Sequence, residues 1–110
     1  MQDNDWVDVI AESELKEESR KAVVLAGAPV ALIRKKGREI YAISNKCPHL
    51  GCLLASGELE GYILKCPCHD WRFDIRSGEF IDAPEIKIAV YRWKIEGGRI
   101  WLNITGGAHA

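Results

Sequence analysis

Two short segments of the chain carry side chains that commonly bind metals. Cys47 and His49 stand in the first segment, Cys66 and His69 stand in the second, and sixteen residues lie between His49 and Cys66. Some iron–sulfur centres combine two cysteines on one iron with two histidines on the other. Each segment offers one residue of each type, so each can reach both irons. The pattern therefore predicts a redox centre whose chemistry is the transfer of single electrons.

The same four residues could instead form a structural zinc site. Two thiolates and two imidazoles are a normal ligand set for tetrahedral zinc. Zinc fingers usually pair cysteine with cysteine and histidine with histidine, whereas each segment here mixes the two types. The spacing thus favours iron and sulfur, and it leaves a zinc-stabilised structural module as an alternative.

The residues around these positions resemble those of the Rieske proteins. The resemblance is carried by Cys47-Pro48-His49-Leu50-Gly51, Cys66-Pro67-Cys68-His69, Trp71-Arg72-Phe73-Asp74, Ser77-Gly78-Glu79 and Ala83-Pro84, and it covers the chain from about Val7 to Ile104. It implies one [2Fe–2S] cluster per chain. Cys47 and Cys66 would bind the inner iron, and His49 and His69 the outer iron near the surface.

The resemblance also implies a set of residues that surround the cluster without binding it. The dipeptide Ala83-Pro84 stands where the family places a proline loop over the cluster. The full set expected around the cluster is Leu50, Gly51, Asp70, Trp71 and Pro84.

Two further cysteines, Cys52 and Cys68, lie one in each segment, and the sequence has no other. Rieske proteins of cytochrome bc complexes carry such a pair as a disulfide, whereas Rieske ferredoxins of oxygenase systems generally lack it. The resemblance thus implies a Cys52–Cys68 disulfide, and the alternative is a pair of small buried apolar residues. The segment Asp70-Trp71-Arg72-Phe73 resembles the ferredoxin group, so the chain combines features of both.

The resemblance also bears on the reduction potential. In the bc-type proteins the positions of Trp71 and Phe73 are usually serine and tyrosine, whose hydroxyls donate hydrogen bonds to sulfur and raise the potential. Neither hydroxyl is present, and Asp70 would add a negative charge beside His69. We expect a midpoint in the lower half of the Rieske range of about −150 to +300 mV.

The pattern along the chain predicts an all-β protein. Short runs rich in valine, isoleucine, tyrosine and tryptophan alternate with glycine, proline, asparagine and aspartate, which is typical of antiparallel sheets. We expect an antiparallel sandwich or barrel base with an inserted cluster-binding subdomain, Rieske-like overall. The predicted strands are Trp6 to Ile10, Val23 to Leu25, Val30 to Arg34, Ile40 to Ser44, Tyr62 to Lys65, Arg72 to Ile75, Ile88 to Ile95 and Arg99 to Ile104. Ser13 could cap a single helical turn.

The domain prediction follows from this order of elements. Residues 1–110 form one domain, with the base at about 6–44 and 85–104, the cluster-binding subdomain at about 45–84 and a tail at 105–110. The length of 110 residues suits one modest core.

Composition excludes several function classes. The net charge of −1 argues against a nucleic-acid surface. The basic group of Arg34, Lys35, Lys36 and Arg38 is better explained as a solvated hairpin tip than as a docking patch. No apolar stretch is long enough for a membrane anchor, and the polar N-terminus is unlike a secretory signal. These features predict a cytoplasmic protein.

The function expected from the resemblance is that of a Rieske ferredoxin without a catalytic site. It would pass electrons between a reductase and a terminal enzyme such as an oxygenase. A fused oxygenase would need a second iron site, and only His109 remains outside the two segments. The alternative within the family is the small subunit of a nitrite reductase or another larger redox enzyme.

Overall fold

The structure is a computed structural model that describes residues 6–25, 27–46, 52–68 and 70–103. Eleven strands and two 3₁₀ turns occur in these ranges. The predicted all-β class is confirmed. Five predicted site residues lie outside the described ranges: Cys47, His49, Leu50, Gly51 and His69.

The strands in chain order are β1 Trp6–Ala11, β2 Ser19–Leu25, β3 Ala28–Arg34, β4 Ile40–Ser44, β5 Glu58–Glu60, β6 Ile63–Lys65, β7 Arg72–Asp74, β8 Glu79–Phe80, β9 Ala83–Lys87, β10 Val90–Glu96 and β11 Arg99–Asn103. The 3₁₀ turns are Glu12–Glu14 and Leu54–Ser56.

Six of these strands form one antiparallel sheet in the order β1-β11-β10-β4-β3-β2. The strands β2, β3 and β4 make a meander, with Ala31 opposite both Ala22 and Ile43. The hairpin of β10 and β11 joins this meander where Val90 pairs with Ile43. The last two strands of the chain therefore lie within the sheet formed by the first four, between β1 and β4.

Strand β3 is buried on both faces, because its side chains alternate between two cores. Val30 and Leu32 point into the core formed within the six-stranded sheet. Ala31 and Ile33 point the other way, into a core shared with the second sheet. This explains the uninterrupted apolar run in the sequence, since a strand covered on both sides has no polar face.

The second sheet has the order β5-β6-β7-β8-β9 and is also antiparallel. Phe73 on β7 and Leu64 on β6 are fully buried and pack in the shared core. Ala83 and Pro84 begin β9 rather than forming the expected loop. Proline is tolerated there because β9 is an edge strand and Pro84 is exposed.

Other details of the predicted elements were also wrong. The expected strand Ile88 to Ile95 begins only at Val90, because Ile88 hydrogen-bonds to Gly78 through its N–H. The first 3₁₀ turn begins after Ala11, so Ser13 lies inside the turn and caps nothing. Within the described ranges, the structure contains no helix long and apolar enough to cross a membrane.

Candidate metal centre

The second ligand segment is a loop between β6 and β7, and it begins at Cys66. The Cys66 N–H donates to the Trp71 carbonyl at 2.7 Å, and the Asp70 N–H donates to the Cys66 carbonyl at 3.1 Å. These bonds close the loop at its base. The Cys66 side chain is 1% exposed and faces the shared core. A buried cysteine on a closed loop is well placed to hold an inner metal.

Cys52 and Cys68 form a disulfide, as the resemblance implied. Their Cα atoms lie 6.4 Å apart. The bond ties the first ligand segment, which follows the six-stranded sheet, to the second, which belongs to the five-stranded sheet. The Cys66 sulfur lies within 4.8 Å of both disulfide sulfurs.

Asn45 anchors the first ligand segment, and sequence reasoning missed it. Its buried side chain accepts a hydrogen bond from the Ala55 N–H at 2.6 Å, and its carbonyl accepts one from the Leu54 N–H at 3.3 Å. A β-bridge between Lys46 and Leu53 brings the two ends of the segment together. The one signal in the sequence that could have identified Asn45 was its position directly after the predicted strand Ile40 to Ser44.

Gly57 allows the end of this segment to lie against β6. A side chain at Gly57 would place a Cβ 1.8 Å from the Lys65 carbonyl oxygen. The Gly57 carbonyl accepts a hydrogen bond from the Arg20 guanidinium of β2. A cleft of about 290 Å³ opens beside this contact, and its lining includes Cys66 and Asp70.

Trp71 is half-buried and packs against the core shared by the two sheets. Its ring stacks on Phe80, with centroids 4.2 Å apart and planes 9° apart, and Phe73 lies 5.5 Å from Phe80. Phe73 is fully buried. The position that carries a tyrosine in bc-type proteins is therefore filled here by an apolar ring within a core.

Asp70 is exposed and has a backbone φ of +61°. This left-handed conformation favours glycine, and aspartate and asparagine are the residues that tolerate it best. Asp70, which directly follows His69 in the sequence, therefore occupies a turn that few residues adopt.

A polar cluster joins the two sheets away from the ligand segments. The Glu39 carboxylate accepts hydrogen bonds from the Tyr41 hydroxyl at 2.5 Å and the Tyr62 hydroxyl at 2.7 Å. The Arg76 guanidinium lies 4.5 Å from the centre of the Tyr62 ring. Tyr41 belongs to the six-stranded sheet, whereas Tyr62 and Arg76 flank strands of the other. We call these four residues the intersheet clasp.

Hydrogen bonding shifts the pKa values within the clasp. The bonds from Tyr41 and Tyr62 lower the pKa of Glu39 below its ordinary value. Burial, followed by the bond to Glu39, raises the pKa of Tyr41, and the bond to Glu39 raises the pKa of Tyr62. The clasp is therefore most stable with Glu39 ionised and both tyrosines neutral.

Three residues of the basic group at the tip of the β3–β4 hairpin are paired with acidic residues. Arg34 and Arg38 both contact the Glu12 carboxylate, at 3.4 and 3.1 Å. Lys35 lies 3.3 Å from Glu18. These contacts support the interpretation of the group as a hairpin tip rather than a docking patch.

Among the predicted ligands, Cys66 is the one that the described residues include, and it suits an iron–sulfur cluster. Its thiol is buried beside apolar and aromatic side chains, and a soft thiolate is the donor that iron–sulfur clusters use. The disulfide connects the first ligand segment to the loop containing Cys66, and the Asn45 contacts hold the two ends of the first segment together.

Comparison with known proteins gives one family and a consistent set of relatives. The pattern of the family described as the Rieske [2Fe–2S] domain matches residues 5–92. The ferredoxin component of the naphthalene 1,2-dioxygenase system of Pseudomonas aeruginosa is 37% identical over 101 residues, which are 91% of this chain and 96% of the relative.

Two solved structures share the fold. The ferredoxin of carbazole 1,9a-dioxygenase from Nocardioides aromaticivorans IC177 is similar with a TM-score of 0.79 and 29% identity, covering 88% of this chain and 95% of that one. A protein assigned as an NADH-dependent nitrite reductase small subunit from Mycobacterium tuberculosis is similar with a TM-score of 0.77 and 25% identity, covering 88% and 92%.

Proposed function

The chain belongs to the Rieske [2Fe–2S] domain family, and from that membership we propose its partners, its ligand set and the roles of its two sheets. It is an electron carrier of the ferredoxin type and not a catalytic subunit. A Rieske cluster cycles between two states that differ by one electron. The chemistry supplied by the bound cluster is therefore one-electron transfer.

We propose that Cys47 and Cys66 hold the inner iron and that His49 and His69 hold the outer iron. The buried thiol of Cys66 supports this assignment, because an inner iron needs a ligand that faces the protein interior. The ligand segments and the five-stranded sheet would form the cluster-binding subdomain, at about 45–84, with the end of β9 extending it to Lys87. The six-stranded sheet would form most of the base, at about 6–44 and 85–104.

We propose that the protein accepts electrons from a reductase and delivers them to an oxygenase. The observation that carries this proposal is the 37% identity, over nearly the whole of both chains, with a ferredoxin component of a dioxygenase system. Complexes of this kind are small and transient, since electron-transfer encounters bury little surface. A cytoplasmic location is in keeping with these relatives.

The second candidate is the small subunit of a nitrite reductase. It is favoured by the similarity to the Mycobacterium tuberculosis structure, whose TM-score is close to that of the ferredoxin. A direct comparison separates the two. The reduced protein is mixed with an aromatic-ring dioxygenase or with a nitrite reductase catalytic subunit, and its reoxidation is followed by stopped-flow absorbance. Faster reoxidation by the nitrite reductase subunit would overturn the oxygenase assignment.

The cluster itself is tested by a redox titration followed by electron paramagnetic resonance. We expect a Rieske-type signal with a midpoint in the lower half of about −150 to +300 mV, because Trp71 and Phe73 supply no hydroxyl donors. A high midpoint would indicate a bc-like role. The absence of a signal would favour the alternative of a structural zinc site. The variant Cys66→Ser, which removes one proposed ligand, is the control without the native cluster.

A further inference from the structure

Three cysteine sulfurs lie close together beside the candidate metal centre. The Sγ atoms of Cys52, Cys66 and Cys68 are all within 4.8 Å of one another. The proposed cluster uses one of these sulfurs, that of Cys66, and the other two are joined in the disulfide. A disulfide sulfur is not a thiolate, so two of the three potential ligands are masked while the bond is intact.

We propose that the three sulfurs form a second metal site when the cluster is absent and a dithiol reductant has converted the disulfide to two thiols, giving up two electrons and two protons and itself becoming a disulfide. The ligand would be a thiophilic divalent ion such as Zn²⁺ or Cd²⁺, held by the thiolates of Cys52, Cys66 and Cys68. The disulfide switches this site off. The proposal concerns the chain before it holds a cluster, and it does not depend on which enzyme receives the electrons.

The positions of the three cysteines suit this geometry. Tetrahedral zinc has Zn–S bonds of about 2.3 Å, which places its sulfur ligands about 3.8 Å apart. The observed distances of up to 4.8 Å leave at most about 1 Å for the sulfurs to close around Cys66. Reduction lets the Cys52 and Cys68 sulfurs move apart by side-chain rotation, because their Cα atoms are already 6.4 Å apart.

The backbone around the three cysteines is held independently of the disulfide. Leu53, next to Cys52, is bridged to Lys46. The Cys66 N–H is bonded to the Trp71 carbonyl, and the Cys66 carbonyl accepts from Asp70. These contacts would keep the three thiols near one another after reduction, so a metal ion need not assemble the site from an unfolded segment.

The surroundings provide an entry path and a fourth ligand. The cleft of about 290 Å³ reaches Cys66 and is lined by Asp70 and Lys65 as well. Cys68 is exposed at the surface. A water molecule or the Asp70 carboxylate would complete the tetrahedron.

The consequence is competition for Cys66. A zinc ion bound by the three thiolates would occupy a sulfur that the iron cluster needs. The disulfide removes two of the zinc ligands, the thiolates of Cys52 and Cys68, and so leaves Cys66 available to iron. Its role would then be to select the metal during cluster assembly, in addition to clamping the two ligand segments.

The experiment uses the full-length variant Cys47→Ser without a cluster, because this substitution leaves the three cysteines as the only thiols. The variant is titrated with Cd²⁺, and the ultraviolet sulfur-to-cadmium charge-transfer band counts the thiolates bound. The disulfide-intact and reduced forms of the same chain are compared. We expect one thiolate per Cd²⁺ in the oxidised form and three in the reduced form. One thiolate in both forms would overturn the proposal.

Two controls address the reduced form. Adding Cys68→Ser to the same variant should lower the count to two. Circular dichroism establishes whether the reduced chain is folded, and if it is not, one equivalent of Cd²⁺ should refold it. A Cd²⁺ affinity that is equal in the urea-unfolded chain, or a failure to refold, would overturn the proposal, because the folded backbone would then contribute nothing to the site.

Discussion

Asn45 shows how one polar side chain can fix a ligand segment. Its side-chain oxygen accepts from Ala55 and its backbone accepts from Leu54, so the residue holds the far end of the segment that it begins. Asn45 is 2% exposed. The hydrogen bond to Ala55 is therefore made where water cannot replace it.

The variant Asn45→Ala leaves the Ala55 N–H without its partner. We expect a loss of about 1–3 kcal/mol in the free energy of unfolding, the usual cost of an unsatisfied buried donor. Urea denaturation measures it. Asn45→Asp keeps an acceptor oxygen and should lose less at acidic pH, where its buried carboxyl group is protonated and brings no charge into the interior. Equal losses in the two variants would show that the acceptor is not what matters.

Asp70 combines a strained backbone with a charge next to a proposed ligand. Asparagine tolerates the same φ of +61°, whereas alanine does not, at a cost of about 1–2 kcal/mol. We expect Asp70→Asn and Asp70→Ala to raise the midpoint potential equally, since both remove the negative charge that disfavours the reduced cluster. Only Asp70→Ala should lose stability. Redox titration and urea denaturation separate the two effects, and a potential unchanged in both variants would contradict the electrostatic role.

At this scale the sequence was most informative where chemistry restricts the residue type. The cysteine pair at positions 52 and 68 was predicted to be bonded and is. The roles of Asn45 and Gly57 were not predicted, because each depends on a close contact with a residue eight or more positions away. Nothing in the local sequence distinguishes such an asparagine or glycine from an ordinary turn residue.

Among the elements, the intersheet clasp couples the two sheets through one carboxylate. Its hydrogen bonds lower the pKa of Glu39 below the ordinary value of 4.5. A carboxyl group whose pKa is lower in the folded state stabilises the fold above its unfolded pKa, and this contribution is lost as the pH falls through the folded value. The pKa values of Tyr41 and Tyr62 are raised, so these two tyrosines affect the stability of the fold at high pH. Their contribution is complete below about pH 10 and is lost as the pH rises through the folded values.

We therefore expect Glu39→Gln to lower stability at neutral pH and to flatten its dependence on pH below about 4.5. Urea denaturation from about pH 3 to 7 covers the range in which carboxyl groups ordinarily titrate. The free energy of unfolding measured in this way reports both changes. Glu85→Gln, an exposed carboxylate on β9, is the matched control and should keep the wild-type profile. An unaltered profile in Glu39→Gln would show that the clasp does not couple the sheets.

The elements that sequence reasoning identified correctly are those with a strong pattern. The β3–β4 hairpin has an apolar run, a glycine turn and a second apolar run, and it was predicted closely. Strands β5, β8 and β9 were missed, because Glu58–Glu60 and Glu79–Phe80 are too short to show alternation and because Pro84 argued for a loop. Their strand structure comes from tertiary pairing, since β5 pairs with β6, β8 with β7 and β9 with β8.

The whole molecule is held together by sharing one core between its two sheets. Ala31, Ile33 and Ile43 come from the six-stranded sheet and pack with Leu64 and Phe73 of the other. The molecule measures 38 × 29 × 20 Å, so neither sheet is far from this core. Because the core would be exposed by the loss of either sheet, we expect the sheets to open together.

Native-state hydrogen exchange tests this expectation on the protein with its cluster. The amides of Leu32 in the six-stranded sheet and Phe73 in the five-stranded sheet should show the same opening free energy and the same dependence on denaturant. The amide of Val24, on the exposed edge of β2, is the control and should exchange by smaller local openings. A distinctly lower opening free energy at Phe73 would mean that the five-stranded sheet opens alone.

The bridge between Lys46 and Leu53 has a consequence for protein engineering. In an antiparallel bridge the two Cα atoms lie about 5 Å apart, so the chain leaves the sheet and returns to nearly the same point. The ends of the six-residue stretch between them are thus held by the bridge and by the disulfide of Cys52, the last residue before Leu53. We expect segments of other lengths and compositions to be accepted between Lys46 and Cys52, with the rest of the fold unchanged, provided that Cys52 is kept.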